Sequence, residues 1–72
     1  MVEVDVRGLS CPIPVVRTKK AMEQNPGQPL VVLTDNETSK ENVSRLAESR
    51  GYQVQVEKVA GGYRLLLIPG KS

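Results

Sequence analysis

Residues 2 to 7 alternate Val2, Val4 and Val6 with Glu3, Asp5 and Arg7. A period of two with one apolar side predicts a strand with one covered face. Gly8-Leu9-Ser10 then turns the chain. A helix is predicted from Pro12, because proline is favoured at the first helical position and loses no intrahelical bond in the first turn. Val15, Thr18 and Ala21 or Met22 fall three or four apart and should face the sheet, with Arg17, Lys19, Lys20 and Glu23 on other faces. Asn25-Pro26-Gly27-Gln28-Pro29 stops that helix. The short apolar run from Leu30 to Thr34 suits a parallel strand fed by a helix. Between Asp35 and Glu41 lie several capping residues, and Thr38 with Glu41 matches the S/T-x-x-E box. A second helix is expected to about Arg50, with Val43, Leu46 and Ala47 inward and Gly51 ending it. Tyr52 to Val59 alternates again, Ala60-Gly61-Gly62 signals a tight hairpin, and Tyr63 to Ile68 is the returning strand.

The order β-α-β-α-β-β predicts an α+β fold, a two-layer α/β sandwich with two helices on one face of a four-stranded mixed sheet. The first two strands should be parallel through a right-handed crossover and the last two antiparallel. Val2, Val4, Val6, Val54 and Val56 then lie beneath the helices. Val31, Leu33, Leu66 and Ile68 are candidates for the other face, as a patch for self-association or for packing against a further C-terminal domain. The 72 residues make one small domain.

Composition narrows the chemistry. A chain this short usually needs a staple, but one cysteine closes no internal disulfide, and without histidine a zinc site lacks its common ligands. The reading therefore calls for no metal and no cofactor, and for the reducing cytoplasm. Acidic residues near the N-terminus do not fit a secretory leader, and no apolar run approaches the roughly 20 residues of a membrane span. A net charge of +2, with Tyr52 and Tyr63 the only aromatics, gives no ground for direct nucleic-acid binding. Pro-Gly-Lys-Ser at residues 69 to 72 matches only the tail of a phosphate-binding loop, since Leu65 stands where its first glycine is needed.

Cys11 is placed where the first strand's loop becomes the first helix, at or next to the N-cap. Free N–H groups and the helix dipole favour thiolate over thiol there, so the sulfur is expected to be nucleophilic near neutral pH. Pro12 and Pro14 stiffen the first turn around it. Arg7, Arg17, Lys19 and Lys20 are either a docking surface for an acidic partner or the solvated side of a helix. Asp35, after the second strand, is a helix cap or shares the rim of an open α/β sheet with Cys11. A lone cysteine is also commonly a small buried hydrophobe. With no histidine partner and no second cysteine, protease and dithiol chemistry are both out. What remains is a thiol that receives a group from one protein and hands it to another, or a regulatory or interaction module with Cys11 as a structural cap.

The string Asp5-x-x-Gly8-x-x-Cys11-Pro12-x-Pro14 resembles the signature of the TusA/SirA/YedF sulfur-carrier family, and the element order covers the whole chain. The resemblance implies that Cys11 carries a persulfide received from a desulfurase-type donor and passes it to a downstream sulfur or selenium acceptor, which leans toward a sulfurtransferase. It also implies that Pro12 and Pro14 shape the site while Asp5 and Gly8 organise the loop. Thr34 to Thr38 lacks the proline that members serving tRNA thiolation tend to carry there. The segment from Asp35 to Lys58 looks more like the N-terminal domain of YedF-type proteins of selenium metabolism, where this domain is often joined to a longer C-terminal part.

Overall fold

All six elements form in the computed structural model, which describes residues 2–10 and 12–70. They are β1 (Val2–Asp5), α1 (Ile13–Gln24), β2 (Leu30–Thr34), α2 (Glu37–Ser49), β3 (Tyr52–Val59) and β4 (Gly62–Pro69). The sheet order is β1-β2-β4-β3, with β1 parallel to β2 and both other pairs antiparallel. The two most apolar strands are therefore the central ones.

Register decides which side chains meet the helices. Val2 and Val4 lie beside Leu30 and Val32, which lie beside Leu67 and Leu65, and these pair with Val54 and Val56. Val6, Leu30, Val32, Leu65 and Leu67 are fully buried, and with Met22, Val43 and Ala47 they form the core cluster. Val31, Leu33, Leu66 and Ile68 hold the alternate positions and point away from the helices.

Three details differ from the pattern. Val56 has the predicted orientation but stays 48% exposed. It sits on the outer strand, and two helices do not cover the corner of a twisted four-stranded sheet. The buried row of α1 is Pro14, Thr18 and Met22, at spacings of four, with Val15 and Ala21 only half-buried. The Thr18 hydroxyl donates to the Pro14 carbonyl at 2.8 Å, so it is buried without being unsatisfied. Finally, α2 is capped by Asn36, whose side-chain oxygen accepts from the Ser39 N–H at 2.8 Å. The helix thus starts ahead of Thr38, and the box with Glu41 is not its start.

Candidate functional site

Parallel pairing brings the C-terminal ends of β1 and β2 to one end of the sheet, and the loops leaving them meet there. Val6 continues the ladder beyond β1 by donating to the Leu33 carbonyl at 2.9 Å. The chain then turns at Gly8, whose φ of +77° belongs to the left-handed region that side chains with a Cβ avoid. In that conformation the Gly8 N–H donates to Asp35 Oδ2 at 2.7 Å. The other Asp35 oxygen accepts from the side-chain amide of Asn36 at 3.0 Å, and Asn36 caps α2. One carboxylate thus ties the loop before α1 to the start of α2. Asp35 belongs to the rim and is not the helix cap.

Asp5 organises the same loop from its other side. Its carboxylate accepts from the Arg7 backbone N–H at 3.0 Å, from Arg7 Nε at 2.9 Å and from Arg7 Nη2 at 2.8 Å. These bonds hold its carboxyl at about 2, with the guanidinium's hydrogen bond the largest cause and the backbone bond the next. The Arg7 guanidinium is raised in turn, chiefly by the same hydrogen bond. Arg7 is therefore committed within the loop and separate from the other cations of the basic set.

The first turn of α1 has fewer free donors than a helix start usually offers. Pro12 is the N-cap residue and makes no side-chain cap bond, and Pro14 falls within the first two helical positions. Neither proline has an N–H. Ile13 donates to the Ser10 carbonyl at 3.0 Å, and Val16 to the Pro12 carbonyl at 3.0 Å. Cys11 itself lies outside the described residues.

Arg17 and Lys20 lie along the outer flank of α1, beside a groove they line with Val4, Ile13, Val16, Ala21 and Gln24. Lys19 is exposed on the same helix but does not line that groove. Two contributors to the rim escaped the sequence reading. Gly62 packs so closely on the Thr34 carbonyl that any Cβ would overlap it, and its only signal was the second glycine of the hairpin pair. The Thr34 hydroxyl oxygen is buried with no hydrogen-bond partner among the described residues, beside Asp35 in the chain. No cluster of three or more metal-ligating side chains occurs among the described residues. Nor is any helix among them long and apolar enough to cross a membrane.

Comparison with known proteins meets this geometry. Residues 2–68 match the family described as Sulfurtransferase TusA. A protein of Methanocaldococcus jannaschii named as a candidate sulfur carrier is 41% identical, over 93% of this chain and 92% of its own length. The sulfur carrier protein TusA of Allochromatium vinosum is 33% identical, over 83% of this chain and 80% of its own. The crystal structure of a SirA-like protein from Desulfitobacterium hafniense superposes with a TM-score of 0.87 at 38% identity, covering 99% of this chain and 100% of that one. The string from Asp5 to Pro14, on a strand-to-helix corner braced by Asp35, sits within the matched residues, and the chain belongs to the sulfurtransferase TusA family.

Proposed function

We propose that the protein is a sulfur carrier whose Cys11 thiolate accepts a sulfane sulfur from the persulfide of a desulfurase-type donor and passes it to an acceptor protein. The thiolate attacks the outer sulfur of the donor's persulfide. The donor's S–S bond breaks, a new S–S bond forms at Cys11, and the electron pair leaves on the donor's thiolate. Repetition of this displacement on the acceptor completes the transfer with no net redox change and no cofactor. The same displacement serves a selenium payload.

The observation that carries this reading is the braced corner in a member of this family. The carrier string occupies residues 5 to 14, and Asp35 fixes the loop through Gly8, 27 residues away in the chain. A thiol that takes and gives up a group needs a defined position more than a deep pocket. Incubation with a cysteine desulfurase and cysteine should add about 32 Da to the intact chain, reversed by dithiothreitol. Cys11→Ser should gain nothing. An unmodified wild type beside a donor that loads another carrier would refute the reading.

A further inference from the structure

The outer edge of β1 and the groove beside it form a second feature, on residues the transfer step does not use. β1 is an outer strand of the sheet, paired only with β2. Val2 donates to the Pro29 carbonyl at 3.2 Å and Val6 to the Leu33 carbonyl at 2.9 Å, so the even-numbered residues turn their N–H and C=O groups toward β2. By the alternation of a strand, Glu3 and Asp5 turn theirs outward, where nothing among the described residues pairs with them. Such an edge is a template for another strand.

On the helix side, this edge opens into a groove of about 470 Å³ between Val4 and the flank of α1. Ile13 and Val16, 43% and 55% exposed, are two of the three large hydrophobic side chains left open to solvent among the described residues, and both line it. Arg17 and Lys20 line it as well, and neither has an ion pair among the described residues. A strand added outside β1 would lie about 4.8 Å beyond it and send every second side chain into this groove.

We propose that this edge and groove take up an extended segment of a partner protein as a fifth strand, with apolar side chains against Ile13, Val16 and Ala21 and acidic ones at Arg17 and Lys20. The choice of occupant follows from charge. A second copy pairing edge to edge would bring Glu3 and Asp5 against Glu3 and Asp5, and Arg17 and Lys20 against their own kind, which is unfavourable on both faces. The fitting segment alternates apolar or acidic residues on its groove side with neutral or basic ones opposite Glu3. Main-chain hydrogen bonds supply affinity, while the groove supplies selectivity. The inference deepens the carrier reading, on which it rests for the occupant being a donor or acceptor protein.

A synthetic peptide capped at both ends tests it, alternating valine and glutamate on one side with threonine and lysine on the other. Titrated into isotope-labelled protein, it should shift the backbone amides of Glu3 and Asp5 and the groove residues of α1, and slow exchange of those two amides. Glu3→Pro removes an outward N–H without touching the β1–β2 ladder, as edge strands tolerate, and should abolish binding. Arg17→Glu with Lys20→Glu leaves the strand intact and should weaken binding on the order of tenfold. A scrambled peptide of the same composition should not bind. The proposal is overturned if no amide shifts by roughly 1 mM peptide, if the shifts lie elsewhere, or if the double charge reversal binds as well as wild type. Cys11→Ser should bind the peptide like wild type. A wild type that binds the peptide but takes up no sulfur from an active donor would refute the carrier step alone, and a wild type that loads sulfur without binding the peptide would refute the docking site alone.

Discussion

Asp5 takes three donors from Arg7, two residues away, and both its role and its pH dependence follow from them. Its carboxyl is held at about 2, against 3.8 unperturbed. A lowered carboxyl stabilises the fold wherever the group is ionised in both states. That contribution is complete above about pH 4 and lost as pH falls through about 2. Asp5→Asn should therefore be less stable than wild type at neutral pH, and thermal denaturation should show the gap closing across that acid window. A gap that stayed constant down to pH 2 would mean the bonds are not made in solution. Gly8 has nothing within 4 Å of a Cβ built on it, so Gly8→Ala isolates the cost of its φ. A loss of about 1–2 kcal/mol in chemical denaturation is expected. At this scale the sequence pointed to Asp5, Gly8 and Asp35 but not to their partners. Arg7 read as one of a basic group because its turn back to Asp5 depends on the loop's backbone. The bond from Gly8 to Asp35 depends on the parallel register of two strands, which spacing along the chain does not reveal.

Among the elements, the loops after β1 and β2 are held from three directions: Asp35 on Gly8, Asn36 on α2, and Gly62 of β4 under the Thr34 carbonyl. The last is a steric fit with no room for a methyl group. Gly62→Ala should cost about 1–3 kcal/mol by forcing β4 away from the end of β2, and the damage should extend to the site. Denaturation midpoints together with the amide shifts of Gly8 and Asp35 check this. Unchanged stability would show that the strands part without cost. The existence and order of the elements were legible because the periods of two and of three to four are long and clean. The helix starts were less so. Asn36, Thr38 and Ser39 all have capping side chains, and it is Asn36 that accepts from the Ser39 N–H and caps α2. The expected stripe on α1 held at Thr18 and Met22 but begins at Pro14 in place of Val15, because Pro14, read as a turn-shaping residue, also packs inward.

For the whole molecule, the sheet's two faces have different duties, and neighbouring leucines test the division. Leu65 is fully buried beneath the helices, whereas Leu66 is half-buried on the open face. Leu65→Ala should cost about 2–5 kcal/mol and Leu66→Ala less than about 1.5 kcal/mol. Equal losses, or the reverse order, would contradict the register. The open face carries Val31, Leu33, Leu66 and Ile68 as the alternation of β2 and β4 predicted, because register in a sheet covered on one side is strongly specified. The helix layer and the braced corner leave the carrier string at one end of the sheet. Cys11 of that string is the proposed acceptor of sulfur. Intact-mass spectrometry after incubation with a desulfurase and cysteine tests it most directly. One addition of about 32 Da is expected on wild type, removed by dithiothreitol and absent from Cys11→Ser. Equal addition to the serine variant, or none to wild type from an active donor, would contradict it.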